Sequence, residues 1–236
     1  MEIRRFFVNK SDICGNVVTV RGDEFIHLTK VLRYKVGYKA TVCANDGIER
    51  LCTVNSIEKD FAVLSVDEIR VADRKSVSLT LYAGLLKNNK LDFAIQKAVE
   101  LGVDRIIPFT SSNCAENRFS VERANKIALE AAKQCGSAYL SEVKELTDIE
   151  EVIRSIPDYD EVLFAYEDEK SNALTDALSQ GKNIAVIIGP EGGFQSVEAE
   201  KISSAGAKTV TLGRRILRAE TASIVACALI LNALDR

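Results

Sequence analysis

The chain has 236 residues, of which 47% are hydrophobic and 28% charged, and its formal net charge is −3 at pH 7. This composition predicts a soluble globular protein with a buried core, and it excludes a disordered chain, a disulfide-stapled miniprotein and a membrane-spanning protein. The first ten residues lack the apolar run of a signal peptide, so we expect a cytoplasmic location.

The first seventy residues predict a small β-barrel, because short runs rich in β-branched and aromatic residues alternate with turn residues. Asn45-Asp46-Gly47 is typical of a hairpin turn, and Asp23–Leu32 carries apolar residues at helical spacing, which predicts one short helix. A charged stretch, Asp67–Lys75, then indicates a domain boundary near Asp73. The predicted strands are Ile3–Val8, Val17–Val20, Ala40–Ala44, Leu51–Ile57 and Phe61–Val66.

From Ser76 onward, apolar runs alternate with amphipathic helices, which is typical of an α/β domain with a parallel sheet. We therefore expect two domains, 1–72 and 73–236. Ligands of open parallel sheets bind at the carboxyl ends of the strands, so the loops there are the candidate site. The predicted strands are Val77–Leu85, Arg105–Phe109, Glu161–Ala165, Ile184–Ile188 and Thr209–Leu212. The predicted helices are Leu91–Leu101, Glu122–Cys135, Leu174–Ser179, Val197–Ala205 and Ala219–Leu234.

The residues that bind metals or carry nucleophilic relays are scarce in this sequence. His27 is the single histidine, so a serine–histidine relay would have to use it. The six cysteines are scattered, with no C-x-x-C pair, and we expect most of them to be small buried hydrophobes. The sequence therefore predicts no metal site and no disulfide framework.

Basic residues are concentrated near the start of the chain. Residues 1–40 contain eight basic and four acidic residues, a local charge of +4 that suits a phosphate backbone. Composition alone favours the simpler interpretation, a solvated surface whose charges cancel in three dimensions.

Ile187–Phe194 reads as a buried strand that enters a glycine-rich turn, Gly189-Pro190-Glu191-Gly192-Gly193. Glycines allow a close backbone approach to a ligand, but this is neither G-x-G-x-x-G nor a P-loop, and Glu191 would repel a phosphate. A neutral or cationic ligand suits the turn better. On the glycine count alone, a tight β–α connection is the favoured alternative.

Leu212–Ala222 is a second strand end, loop and helix start, with three arginines in five positions: Arg214, Arg215 and Arg218. Arginine pairs with phosphates and carbonyl-rich base edges, which indicates an anionic or polar substrate. The alternative is a solvated loop with an Arg–Glu pair, and it holds unless the two loops meet. A third segment, Lys90–Gly102, predicts an amphipathic helix with Gly102 as its stop and more polar residues than packing requires.

Together these segments resemble a known family, the bacterial small-subunit (16S) ribosomal RNA uridine-N3 methyltransferases of the SPOUT superfamily. The resemblance runs nearly end to end. It rests on Arg4-Arg5-Phe6-Phe7, His27, Val31-Leu32-Arg33, Ile95-Gln96-Lys97, Glu100-Leu101-Gly102-Val103, Ile107-Pro108, Glu130-Ala131-Ala132, Gln134, Ile188-Gly189-Pro190-Glu191-Gly192-Gly193, Leu212-Gly213, Arg215-Ile216-Leu217-Arg218 and Glu220-Thr221-Ala222.

The resemblance implies an N-terminal PUA-like β-barrel that binds RNA and a C-terminal SPOUT domain with a trefoil knot, which periodicity would not predict because knots are nearly absent from proteins. It further implies a homodimer, with S-adenosylmethionine bound in the knot loops and ribosomal RNA, or an assembly intermediate of the small subunit, as partner. The implied cofactor-binding residues are Ile188, Gly189, Pro190, Glu191, Gly192, Gly193, Leu212, Gly213, Ile216, Leu217 and Thr221. The implied RNA-contacting residues are Arg4, Arg5, His27, Arg33, Lys90, Gln96, Lys97 and Arg215.

The chemistry that the family performs assigns roles to two further residues. Uracil N3 must lose a proton around the time of methyl transfer, so a group must favour the anion. Arg218 is the candidate that stabilises it, and Glu220 or water is the candidate proton acceptor. His27 would contact RNA or pack between elements, and a purely structural histidine is an equal alternative.

The sequence departs from the family pattern at two arginine positions, which here are Asn113 and Ser137, and it contains no tryptophan. These departures concern RNA contacts, for which Arg118 and Arg123 are substitutes, and not the cofactor loops. A catalytically silent RNA-binding assembly factor of the same fold is the alternative function, disfavoured because both loop motifs are present. A nucleotide-dependent oxidoreductase lacks its phosphate fingerprint.

Overall fold

The structure is a computed structural model, and it divides the chain into two compact units. The first unit runs to residue 74 and also contains residues 132–140, while the second contains residues 75–131 and everything from 141 onward. A single boundary near Asp73 does not anticipate the short segment 132–140, which interrupts the second unit. The described residues are 3–73, 75–87 and 89–234.

The first unit is built on a six-stranded sheet in the order β1-β4-β5-β6-β3-β2, antiparallel except for the parallel pair β1 and β4. Alternate side chains point inward, and the fully buried Phe6, Val18, Val42 and Leu64 belong to one core. The strands are β1 Arg4–Phe7, β2 Ile13–Cys14, β3 Val17–Arg21, β4 Lys39–Cys43, β5 Ile48–Ile57 and β6 Phe61–Val71.

The turn between β4 and β5 forms where the sequence predicts it. Asn45 and Gly47 both have positive φ, at 52° and 72°, and the Asp46 carboxylate accepts hydrogen bonds from Arg50 and from the Ile48 amide. The following hairpin is longer than predicted, because β6 continues through Asp67–Val71, part of the charged stretch that predicts a domain boundary. This part of β6 pairs with β5, so its alternating charged residues lie on an exposed strand and not between domains.

The predicted helix Asp23–Leu32 is present but irregular. An α-helical turn, α1 Gly22–Ile26, continues as a π-helical segment, His27–Val31. Arg33 follows with φ of 53°, a left-handed conformation that is uncommon for arginine. π-Helical segments occur disproportionately at functional sites. This turn is therefore a candidate functional feature of the first unit.

The second unit has a predominantly parallel sheet in the order β10-β8-β7-β12-β11-β13, with β9 paired to β8. Every described pair in this sheet is parallel, as predicted. The central strands are continuous apolar runs because both faces of the sheet are covered. The strands are β7 Ser78–Gly84, β8 Arg105–Thr110, β9 Glu142–Val143, β10 Thr147–Asp148, β11 Glu161–Ala165, β12 Asn183–Ile188 and β13 Lys208–Val210.

Helices alternate with these strands. Gly102 ends the second helix in a left-handed conformation with φ of 95°, as a helix stop requires. One helix of this unit, α4, is not among the predicted helices, and its N-terminus is capped by the Asp148 carboxylate, which accepts the Glu151 amide at 2.8 Å. The helices are α2 Lys90–Leu101, α3 Val121–Cys135, α4 Ile149–Ser155, α5 Leu174–Ala177, α6 Ser196–Ser204 and α7 Ala219–Leu234.

Among the described residues, no helix is long and apolar enough to cross a bilayer. The trefoil knot that the resemblance implies stays a prediction.

Candidate cofactor-binding and active site

Three strand ends meet around one cavity of about 470 Å³ in the second unit. Strand β11 lies between β12 and β13 in the sheet, and all three are parallel, so their carboxyl ends and the loops after them share one edge. The glycine turn after β12 and the arginine loop after β13, residues 211–218, both line this cavity. The two loops thus meet, which was the condition for rejecting the solvated-loop interpretation of Leu212–Ala222.

The glycine turn, residues 189–193, is closely packed on both sides. A Cβ built on Gly189 would lie 2.6 Å from the Phe194 ring, and one built on Gly193, whose φ is +66°, would lie 2.3 Å from a Glu167 carboxylate oxygen. Under the turn, a Cβ on Gly84 at the end of β7 would lie 2.3 Å from the Pro190 nitrogen. Glycine is required at 189 because the Phe194 ring occupies the space of a side chain, and at 193 because the backbone is left-handed.

Gly84→Ala is expected to destabilise the protein by about 2–3 kcal/mol, because the new methyl group meets backbone that cannot rotate away. The melting temperature should fall by roughly 5–10 °C, measured by calorimetry. Gly181→Ala is the matched control, since its Cβ would meet only side-chain atoms, the nearest at 3.2 Å. Equal melting temperatures for the two variants would contradict the close packing described for Pro190.

Glu191 in the glycine turn forms an ion pair with Lys90 at the start of α2, with 2.7 Å between Oε1 and Nζ. The Lys87 amide donates to its other oxygen at 3.3 Å. Partial burial acts to raise the pKa of Glu191, but the Lys90 hydrogen bond, the Lys87 amide and both lysine charges outweigh it and hold the pKa below its ordinary value. The charge of Glu191 is thus balanced within the protein.

A depressed carboxyl pKa stabilises the folded state above the pKa of the unfolded chain, and this contribution disappears as the pH falls through the folded-state value. The half-exposed pair should contribute about 0.5–1 kcal/mol. We therefore expect wild type to be more stable than Glu191→Gln at pH 7 by this amount, and the two to converge as the pH falls below the ordinary carboxyl range. Denaturant titrations at several pH values measure the difference, and a difference that grows in acid would contradict the assignment.

The arginine loop presents its guanidinium groups to solvent at the cavity. Gly213 has φ of 122° and its amide donates to Thr211 Oγ1, which shapes the loop. Arg214, Arg215 and Arg218 are exposed and line the cavity. Within the part of the chain that the structure describes, none of the three forms an ion pair or a side-chain hydrogen bond, so a cluster of three positive charges is available to a ligand.

Glu220 lies in the first turn of α7 and also lines the cavity. Its Oε2 atom is buried and has no hydrogen-bond partner among the residues that the structure describes. A buried carboxylate oxygen without a donor is costly, so such a group at a cavity wall indicates a donor supplied by a ligand.

A third loop, which follows β11 and is not among the predicted site segments, also lines the cavity. Ala165, Tyr166, Glu167 and Lys170 line the cavity from this side. The Glu169 carboxylate accepts the Ser171 and Asn172 amides, which lowers its pKa to about 2 and holds the loop in shape. This loop contains no glycine turn or arginine cluster that would mark it in the sequence. Its place in the site follows from the position of β11 between β12 and β13, which is known only from the order of the strands in the sheet.

Most of the predicted cofactor-binding residues line this one cavity. Gly192 and Thr221 do not line the cavity, since Gly192 packs instead on Asn113. The predicted residues that do line it are Ile188, Gly189, Pro190, Glu191, Gly193, Leu212, Gly213, Ile216 and Leu217, together with the predicted catalytic pair Arg218 and Glu220.

Of the four predicted RNA-contacting residues of the second unit, two line the cavity and two lie elsewhere on helix α2. Lys90 and Arg215 line the cavity. Gln96 is exposed on α2, and Lys97 forms an ion pair with Glu100 at 2.8 Å while its ammonium lies 5.7 Å from the Phe93 ring centre.

The predicted RNA-contacting residues of the first unit have different surroundings. Arg5 forms an ion pair with Glu49 at 2.8 Å and donates to Cys43 Sγ, so its guanidinium is already engaged. His27 is half-buried, with its ring edge-on to Phe6 at 6.2 Å. Arg4 and Arg33 are exposed. No group of three or more histidine, cysteine or acidic side chains in the described ranges is arranged to hold a metal ion.

Comparison with known proteins agrees with this architecture. Residues 73–231 match the model of an RNA methyltransferase domain, and residues 20–67 match that of an RNA methyltransferase PUA domain. The chain is 31% identical to ribosomal RNA small subunit methyltransferase E of Bacillus subtilis, over 90% of this chain and 88% of that protein. It is also 31% identical to the Rickettsia conorii protein of the same name, over 97% and 95%.

Among solved structures, the chain is similar to a ribosomal RNA small subunit methyltransferase E from Neisseria gonorrhoeae bound to S-adenosylmethionine. The TM-score is 0.88 at 25% identity, covering 99% of this chain and 98% of that one. The parallel sheet with its loop-lined cavity, joined to a PUA unit, defines the class of RNA methyltransferases. Within that class, the chain belongs to the ribosomal RNA small subunit methyltransferase E family.

Proposed function

We propose that this protein is an S-adenosylmethionine-dependent methyltransferase that methylates N3 of a uridine in small-subunit ribosomal RNA. The observation that carries the proposal is the convergence of the glycine turn and the arginine loop on one cavity. Family membership supports it, since relatives that match along nearly the whole chain carry the name ribosomal RNA small subunit methyltransferase E.

The cavity fits this cofactor in size and in chemistry. A volume of about 470 Å³ lies in the range typical of small-molecule sites. S-Adenosylmethionine supplies a methyl group on a sulfonium cation and carries no phosphate, so the turn needs neither a P-loop lysine nor a dinucleotide fingerprint. The glycine turn offers bare backbone to adenine and ribose, and Ile188 and Leu217 provide apolar walls. A related structure contains S-adenosylmethionine.

Arg218 and Glu220 supply the chemistry at uracil. The Arg218 guanidinium, exposed at the cavity and without an internal partner in the described ranges, stabilises negative charge that develops on a uracil carbonyl. It is a poor proton acceptor because guanidinium remains protonated. The buried, unpaired Oε2 of Glu220 is the acceptor for the N3 proton.

Each unit offers candidate RNA contacts of its own. In the second unit, Arg214 and Arg215 add to the positive charge of Arg218 at the cavity. In the first unit, the exposed Arg33 beside the π-helical turn is the stronger candidate, whereas the internal ion pair of Arg5 favours a structural role. The cytoplasm, where ribosomal subunits mature, is the corresponding location.

We also propose that the protein is a homodimer. Helix α7 is almost entirely apolar from Ile224 to Leu231, and Ile224, Val225 and Leu229 remain only half-buried in the single chain. Ile216 in the adjoining arginine loop is 82% exposed. A second copy that covers these side chains would remove them from water and place its own residues beside the cavity. Light scattering is expected to give twice the chain mass, 25.9 kDa each.

Transfer of a labelled methyl group to small-subunit RNA tests the proposed function. Purified protein is incubated with S-adenosylmethionine and subunits from cells that lack the gene, and the RNA is digested and analysed by mass spectrometry. We expect one N3-methyluridine per subunit. S-Adenosylmethionine binding and RNA binding without a methyl mark would instead support the silent assembly factor, and a methyl mark at another atom would overturn the N3 assignment.

A further inference from the structure

The loop after β8, residues 111–114, is fastened to the glycine turn by two side chains that the proposed chemistry does not use. Asn113 Nδ2 donates to the carbonyl oxygen of Gly192 at 3.0 Å and to that of Gly193 at 3.4 Å. From the other side, Gly192 has no room for a side chain, because a Cβ there would lie 2.8 Å from the Asn113 carbonyl oxygen. The two loops are thus in contact along their backbones.

Glu198 makes the second connection. It lies on α6, only 6% exposed, and each of its oxygens accepts a backbone amide: Oε1 from Ser112 at 2.9 Å and Oε2 from Gln195 at 2.9 Å. One buried carboxylate therefore joins the loop after β8 to the residue where the glycine turn enters α6. Hydrogen bonds from amides to a buried carboxylate are stronger than those between neutral groups.

We infer that Asn113 and Glu198 are positioning residues that hold the glycine turn in its ligand-binding shape before the cofactor arrives. Neither residue lines the cavity, so neither touches the cofactor directly. Their effect passes through the carbonyls of Gly192 and Gly193 and the start of α6. A turn ordered in advance costs less entropy on binding, and this saving appears as affinity. The inference rests on the proposed function, because S-adenosylmethionine is the ligand whose affinity is set.

Asn113→Asp and Glu198→Gln test the inference with almost no change of volume. Aspartate places an acceptor against two carbonyls, and glutamine leaves one of two buried amides facing an NH₂ group. We expect the dissociation constant for S-adenosylmethionine, measured by calorimetry, to rise about tenfold in each variant. The turnover number at saturating cofactor should remain within about twofold, since the groups at the reacting atoms are unchanged.

The matched controls are Asn117→Asp, the same change at an exposed position four residues further along the chain, and Glu200→Gln on the exposed face of α6. Both should bind the cofactor as wild type does. Hydrogen exchange of the 189–195 amides in the cofactor-free protein gives an independent readout, and it should be faster in Asn113→Asp.

The outcomes separate the two proposals. Wild-type affinity in both variants, with only a lowered melting temperature, would overturn the positioning role and reduce both contacts to structural ones. A loss of turnover at saturating cofactor, with unchanged affinity, would also overturn it. Failure of the wild-type protein to bind S-adenosylmethionine would instead contradict the proposed function itself.

Discussion

Arg218→Ala should lower the turnover number for RNA methylation by about 10²–10³-fold, while the dissociation constant for S-adenosylmethionine changes by no more than about threefold. The guanidinium lies at the cavity with no internal partner in the described part of the chain, so its removal disturbs no ion pair of the folded protein. What is lost is stabilisation of the charge that develops on uracil. Single-turnover methylation and cofactor calorimetry on the same preparation measure the two quantities.

Two further variants define the role of Arg218. Arg218→Lys keeps the charge but loses the planar fork of donors, so we expect an intermediate loss of about tenfold or more. Arg154→Ala is the control, because Arg154 is exposed on α4 and its partner is Glu151, outside the cavity. Equal losses in turnover and in cofactor affinity for Arg218→Ala would show that Arg218 holds the cofactor rather than the developing anion.

The second large effect is expected for Glu220→Gln, which should lower turnover by about 10²–10⁴-fold. The amide has nearly the same shape as the carboxylate but cannot accept the N3 proton. Single-turnover rates of methylation compare the variant with the wild-type protein.

Glu220 also lies in the first turn of a helix, where its charge favours the helix dipole. Glu122→Gln is therefore the matched control. Glu122 lies in the first turn of α3, so this substitution also removes a negative charge that interacts favourably with a helix dipole. Both variants should lose a similar, small amount of stability, and only Glu220→Gln should lose turnover. Retention of the wild-type rate in Glu220→Gln would assign the proton to water.

The α/β pattern of the second unit was predictable from the sequence, because buried parallel strands are continuous apolar runs. Strand Glu161–Ala165 and helix Ala219–Leu234 have the predicted bounds. Helix α4 was not predicted because it is short and highly charged. Two signals of a helix are nevertheless present: Asp148 followed by Glu151 is a capping pattern, and the buried Ile149 and Val152 are at helical spacing. The last part of β6 was not predicted as a strand because it is exposed and rich in charged residues, a composition that is also typical of linkers.

The site was partly predictable. The glycine turn and the arginine loop carry unusual residues, and both follow apolar strands, so their meeting at one sheet edge was a testable expectation. The loop after β11 has no such signal, and its contribution depends on β11 lying between β12 and β13. The ion pair between Glu191 and Lys90 joins residues 101 positions apart and likewise depends on the tertiary fold.

The chain passes between the two units three times, since residues 132–140 belong with the first unit although they follow much of the second. No single cut therefore releases either unit whole, and a fragment that stops at residue 74 lacks nine residues of its own unit. During synthesis, the first unit is complete only after residue 140 has left the ribosome. Its folding can therefore be completed only after residues 75–131, the first part of the second unit, have been synthesised.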